Sequence, residues 1–437
     1  MNEEEYGRLL LRSLDTAPPT PMRVDFVKAM RNGRRGRRWR GWSMGAGITA
    51  VIATAAASGA LVAGSPGGKP IPMPAPLHSS FQVDPPVTPS VPPEPYHNTK
   101  PPPNPVIRPE PTGSPGRALP PDPPLPSSCK VEGLPIGTAK SADVTAGDPT
   151  GRILVGRTEP VARGELDVLV WRDGKLIDRV KQRGDPGTMT DVNRSGIAVG
   201  GRSGEFPSAL WYQEGMVRRL GGYDYGTAIA INDAGMIAGT YEFNGQTRPQ
   251  RWSSPTAYRP EVMPLINGHT GGRAWDIDEA GTTLVTLDGG PAHEQTYLWF
   301  ADGSIQKITT PPSLDPAKRQ TFKAGAFHFG WVYGEMAFSD SATGLTIGRQ
   351  TYRYEPASGT WQAVYDPAGT GQVPTPTDVL DLARSEASVV IGRTAYALPP
   401  GSTKKADVLL NVVSEDGRVV AGATGGQPNQ ATVWHCT

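Results

Sequence analysis

Short stretches of alternating apolar and polar residues, broken every few positions by Gly, Asn or Asp, run from about residue 130 to the end of the chain. The clearest is Asp191-Val-Asn-Arg-Ser-Gly-Ile-Ala-Val-Gly200. It recurs as Ala230-Ile-Asn-Asp-Ala-Gly-Met-Ile-Ala-Gly239, Asp276-Ile-Asp-Glu-Ala-Gly-Thr-Thr-Leu-Val285 and Val413-Ser-Glu-Asp-Gly-Arg-Val-Val-Ala-Gly422. Looser copies read Gly151-Arg-Ile-Leu-Val-Gly156, Gly344-Leu-Thr-Ile-Gly348 and Ser388-Val-Val-Ile-Gly392. Each predicts a β-hairpin, with Asn or Asp opening the turn and Gly taking its positive-φ position. A third strand follows, marked by an aromatic: Trp171, Trp211, Trp252, Trp299, Tyr354, Tyr396 and Trp434. After several of these comes a second Gly turn and a fourth short strand, as in Lys175–Val180 and Met216–Leu220.

These aromatics stand about 44 residues apart on average, the length of one four-stranded propeller blade. Seven such units fill the 309 residues from Cys129 to Thr437. The expected fold is therefore all-β, a β-propeller over residues 128–437 with seven blades, six or eight being the alternatives. Because the aromatics keep one place in every repeat, they are read as blade packing and not as a carbohydrate-stacking set. Trp211 and Trp252 are expected to be buried between blades.

The unit Asn/Asp-x-x-Gly-x-(Ile/Val)-x-Gly, followed by an aliphatic-Trp strand and a Gly turn, resembles the exported HAF-repeat proteins over roughly residues 130–437. The His-Ala-Phe tripeptide is replaced by Ser208-Ala-Leu-Trp211 and Thr296-Tyr-Leu-Trp299. The layout is also similar to membrane-anchored exported proteins of high-GC Gram-positive bacteria. The resemblance implies a propeller-like repeat domain and no defined reaction.

Ahead of the repeats the pattern changes twice. Residues 1–41 carry ten Lys+Arg and five Asp+Glu, with six of the cations between Arg31 and Arg40. Trp42–Gly64 follows without a charge. A helix of that length spans about 30 Å, enough for a bilayer core. With Trp39 and Trp42 at the cationic end, 42–64 reads as a transmembrane helix whose N-terminal side stays in the cytoplasm. Signal cleavage is the alternative, and either outcome exports the rest. The tail places Tyr6, Leu9, Leu10 and Leu14 at helical spacing, so residues 1–30 could engage a cytoplasmic partner or merely carry topogenic charge. Residues 65–127 hold 23 of the 46 prolines and read as a Pro-rich extracytoplasmic linker, disordered or in polyproline II.

The only two cysteines flank the repeats. Ala431-Thr-Val-Trp434 matches an aromatic third strand, after which the chain ends. Cys129-Lys-Val-Glu-Gly-Leu134 matches a fourth strand without its predecessors. The last blade should thus be completed from the start of the domain, with Cys129 and Cys436 on neighbouring strands, Cα atoms about 5.5 Å apart, and a disulfide between them.

A net charge of +1 removes nucleic acid as an expected partner. The run Asp276-Ile-Asp278-Glu279 superficially suggests a calcium loop, but it occupies the repeated hairpin turn and lacks an EF-hand's further ligands. The six His (His78, His97, His269, His293, His328, His435) show no ligand spacing. Glycine pairs at Gly221-Gly222 and Gly289-Gly290 do not open helices, and no nucleophile elbow occurs. The residues point to no catalytic, metal or cofactor site. The functional expectation is a membrane-anchored, non-catalytic binding module at the cell surface, its ligand a wall polymer, a peptide or a protein. A propeller-type extracytoplasmic hydrolase or lyase is the alternative. A transmembrane signalling protein of the anti-sigma-factor type, gripping its partner through residues 1–30, is the third reading.

Overall fold

A computed structural model describes residues 105–109, 111 and 119–437, apart from residues 159–164, 184–186, 203–206, 223–224, 244, 267, 291–292, 311–317, 329, 342, 344–345, 365–387, 400–407 and 426–427. The tail, the 42–64 segment and the linker up to residue 104 lie outside the described residues. Among the described residues no helix is long and apolar enough to cross a membrane.

The repeats form antiparallel sheets around a ring. A lone strand, β1 (Cys129–Gly133), comes first. Blade one follows as β2 (Ala142–Gly147), β3 (Ile153–Thr158), β4 (Glu165–Arg172) and β5 (Lys175–Arg183). Blade two is β6 (Gly187–Val192), β7 (Ala198–Arg202), β8 (Ser208–Gln213) and β9 (Met216–Arg219). Blade three is β10 (Gly226–Ile231), β11 (Ile237–Phe243), β12 (Gln246–Trp252) and β13 (Glu261–Val262). Blade four is β14 (Gly271–Ile277), β15 (Thr283–Gly290), β16 (His293–Trp299) and β17 (Ile305–Lys307). Blade five is β18 (Lys318–His328), β19 (Trp331–Asp340), β20 (Thr346–Glu355) and β21 (Thr360–Ala363). A two-stranded sheet, β22 (Ser388–Ile391) and β23 (Thr394–Ala397), comes next. The closing blade joins β24 (Val408–Val413), β25 (Val419–Thr424) and β26 (Gln430–Cys436) to β1.

The fold is a β-propeller. Apolar residues of each sheet's two faces meet those of the next sheet. Trp211 and Trp252 share one such cluster between blades two and three, as expected. Val389 and Ile391 of the two-stranded sheet pack against Leu410, Val420 and Trp434 of the closing blade. The closing blade's Val412, Ala421 and Val433 in turn meet Val144 and Leu169 of blade one. Burial between neighbours thus runs without interruption around the ring.

Two corrections follow. Among the described residues six units are four-stranded and the seventh copy of the repeat is a two-stranded sheet, against an expected seven full blades. The stretch ahead of that copy, 365–387, lies outside the described residues. In blade five, Gly344–Gly348 is not the first hairpin. The hairpin turn lies between His328 and Trp331, and Thr346–Glu355 is already the third strand. That hairpin joins two strands of 11 and 10 residues without the Asn-x-x-Gly signature.

Ring closure follows the expected phase. β1 pairs with β26 in the register Cys129↔Cys436, Val131↔Trp434, Gly133↔Thr432. The cysteines are disulfide-bonded, 307 positions apart in sequence, with Cα atoms 4.0 Å apart instead of the 5.5 Å expected, because the two residues face each other directly across one ladder.

The innermost strand of every complete blade carries an extra residue at the corresponding place. In three blades that residue reaches forward to the next blade's main chain. Thr145 Oγ1 donates to the Met189 carbonyl at 2.7 Å, Thr190 Oγ1 to the Ile229 carbonyl at 2.9 Å, and Asn411 Nδ2 to the Val144 carbonyl at 2.7 Å. One position further on, two carboxylates bridge the same gap. Asp191 accepts from the Ile231 amide and Asp276 from the Phe327 amide, both at 2.7 Å.

Candidate functional site

The strand order gives the ring two different faces. One holds the first hairpin turn of each blade and the turn before its fourth strand, and the first turns of blades two, three and four are built alike. Asn193 Oδ1 accepts the Ile197 amide, Asn232 Oδ1 the Met236 amide and Asp278 Oδ1 the Thr282 amide, at 3.0, 2.8 and 2.7 Å. The turns are also tied to one another. Asn193 Nδ2 donates to the Asn232 carbonyl at 3.1 Å, and Asn232 Nδ2 to the Asp278 carbonyl at 3.0 Å. Arg194 bridges Asp233 at 2.5 Å and Glu415 of the closing blade at 2.6 Å. The carboxylates of Asp276 and Asp278 are therefore held by main-chain amides, in keeping with a turn and not a calcium loop.

The opposite face holds the connections between the second and third strands and between successive blades. Their lengths and sequences differ from repeat to repeat, which is where a rigid scaffold carries specificity. At blade four this face gathers groups that are far apart in sequence. His269, on the connection into β14, meets Tyr297 of β16 edge-on, Nε2 to hydroxyl 3.0 Å. The Tyr297 hydroxyl donates to Gln295 Oε1 at 2.7 Å. Burial holds the His269 imidazole below its usual pKa, against the Asp288 main chain and carboxylate, which raise it. Burial likewise raises the Asp288 carboxyl, with Arg273 pulling the other way. Lys323, from β18 of the next blade, pairs with Glu294 at 3.4 Å.

These groups divide by exposure. His269 is 6% and Tyr297 2% exposed, so the pair braces the connection from below. The Lys323 and Glu294 side chains are 33% and 51% exposed and present charge of both signs to solvent. Such an arrangement can bind polar or charged groups through ionic and hydrogen bonds.

The expected blade aromatics are where packing requires them. Trp171, Trp211, Trp252, Trp299, Tyr354 and Trp434 are buried, and Tyr396 is half-buried against the closing blade. Three of the indoles also donate a hydrogen bond: Trp171 to the Pro135 carbonyl, Trp252 to Gly221 and Trp434 to Pro399. A stacking surface would need the rings exposed. Of the histidines, His269 joins the blade-four cluster, and burial lowers the pKa of His328 to about 4. His435 is exposed on β26, and His78 and His97 lie outside the described residues. Among the described residues no group of His, Cys, Asp or Glu could hold a metal ion.

Arg273, Asp288, Gln295, Tyr297 and Lys323 carried no sequence signal, since they come from four strands that only the fold brings together. Two buried arginines were missed as well. Arg251 donates to Glu261 at 2.5 Å and to the Gly281 and Phe300 carbonyls, and lies 4.2 Å above the Trp299 ring. Arg353 donates to Gln362 at 2.5 Å and lies 3.9 Å above Trp331.

No family model and no curated protein matches the sequence. Solved structures similar in fold include the polysaccharide lyase Uly1, at 8% identity over 70% of this chain and 92% of that one, with a TM-score of 0.43. The Dos1 propeller matches at 11% identity over 71% and 94%, with a TM-score of 0.36. A putative TolB from Agrobacterium tumefaciens matches at 14% identity over 51% and 80%, with a TM-score of 0.34.

Proposed function

We propose that the chain is a membrane-anchored, extracytoplasmic binding module of the HAF-repeat type, and that it engages its ligand at the ring face carrying the blade-four cluster. One observation carries this reading: the two faces are built for different tasks. The turn face uses its polar groups on itself, bond by bond between neighbouring turns. The opposite face has connections that differ from repeat to repeat, and there the part-exposed Lys323–Glu294 pair lies beside the buried His269 and Tyr297. Export is supported by the Cys129–Cys436 disulfide, which persists in oxidising compartments, together with the Arg31–Arg40 cluster and the uncharged 42–64 stretch. The ligand class is a wall polymer or a protein with exposed charged groups. The hydrolase or lyase reading has less support, because His269 and Tyr297 are too buried to touch a substrate.

The test joins location to binding. Protease added to intact protoplasts should remove everything beyond residue 64 and spare the tail; a protected propeller sinks the export reading. Isolated cell wall should then retain the full chain, and the Lys323→Glu, Glu294→Lys double variant should lose that retention without a change in melting temperature. Equal retention of both chains moves the binding face elsewhere.

A further inference from the structure

The last third of the proline-rich segment was expected to be part of a disordered linker, yet its described residues lie along the propeller. Ile107 forms a parallel bridge with Ile305 of β17, and Arg108 donates to Ser304 and Asp302 at 2.5 and 2.7 Å, its guanidinium 3.8 Å over Phe300. Further along, Leu119 packs on a cluster formed by Trp331, Tyr333, Val364 and Val390. Ser127 and Ser128 end the path with main-chain bonds to Thr437.

Asp122 makes the densest contact. One carboxylate oxygen accepts from Arg353 of blade five, which is 2% exposed, and the other from Arg393 at 3.2 Å. Arg393 belongs to the turn between β22 and β23. From the other side of that turn the Gly392 carbonyl accepts the Tyr333 hydroxyl at 2.9 Å, and Tyr333 is in contact with Arg353 at 3.5 Å. Gly392 leaves no room for a side chain here: its φ is 57° and an added Cβ would lie 2.9 Å from Asp122. The two-stranded sheet, the one unit without four described strands, is thus gripped between blade five and a segment from outside the repeat.

We infer that residues 119–128 form a latch that completes the two-stranded unit, and that releasing the latch opens the propeller at this one place. Without Asp122 the guanidinium of Arg353 keeps its burial and loses its counter-charge, a combination that favours local opening. Without Leu119 the Trp331–Val390 cluster faces solvent. The repeat domain accordingly begins near residue 105, and β22–β23 is its weakest unit.

Hydrogen exchange on the full chain tests this. In Asp122→Asn, amide exchange across 388–397 should accelerate about tenfold or more while blades one to three keep the native rate. Should this variant not fold, Leu119→Ala removes the latch's apolar contact with the Trp331–Val390 cluster instead, and the same local acceleration is expected. Unchanged exchange at 388–397, or acceleration spread evenly over all blades, overturns the latch.

Discussion

Replacing both cysteines by serine tests how the ring is held shut. The disulfide closes a loop of 307 residues, and the chain-entropy relation gives about 5–6 kcal/mol for a loop of that size. Native strain and residual structure in the unfolded chain can only reduce this figure. Without the bond, β1 is retained by five ladder pairs to β26 and by the bonds of Ser127 and Ser128 to Thr437. The unfolding entropy of a domain of this size is roughly 0.65 kcal/mol per degree, so the melting temperature should fall by up to about 8 °C. Calorimetry of the full chain measures it, with reduced wild type as the control for the serine side chains. The reduced wild type and the Cys129→Ser, Cys436→Ser variant should melt together, both well below the oxidised protein. A shift under about 2 °C, or two free thiols per chain in the exported protein, would refute the reasoning.

Trp252→Ala should cost about 3–5 kcal/mol in urea unfolding, because the indole is 1% exposed and bonded to Gly221; an unchanged midpoint with lost ligand binding would instead make it a contact residue. Asp276 gives a pH prediction. Burial raises its carboxyl from 3.8 to about 7, against the Phe327 and Ile277 amides, which lower it, while Asp278 adds to the rise. The folded state then holds a proton that the unfolded state releases. This group's contribution is fully present below about pH 4 and is lost as pH rises through about 7, with a ceiling of roughly 4 kcal/mol. Asp276→Asn should flatten that decline between pH 5 and 8, and parallel stability curves for the two proteins would rule it out.

The sequence revealed what recurs locally. The strand phase, the turn positions and the pairing of Cys129 with Cys436 followed from a repeat whose elements are each a few residues long. Blade five escapes this reading because its long first hairpin lacks the Asn-x-x-Gly signature, which leaves Gly344–Gly348 as the segment that resembles the turn. The docked 105–128 segment escaped because composition describes average behaviour. Proline content argues against ladders and helices, but it does not forbid an extended chain from lying on a surface that offers Arg353 to one carboxylate and a pocket to Leu119. The His269–Tyr297 cluster escaped for a third reason: its members are joined only by the circular order of the blades.

The forward-reaching residues of the innermost strands bear on how such a chain can change over generations. Thr145, Thr190 and Asn411 each bond to a carbonyl of the following blade. Every residue except its side chain is alike in offering that carbonyl, so the receiving blade can vary its sequence without losing the bond. A copy that receives such a bond can therefore differ in sequence from the others while its neighbours remain in place. Duplication or loss of a whole unit would meet the same generic main-chain partner at the new junction. A ring joined in this way accepts divergent copies more readily than one held by matched pairs of side chains.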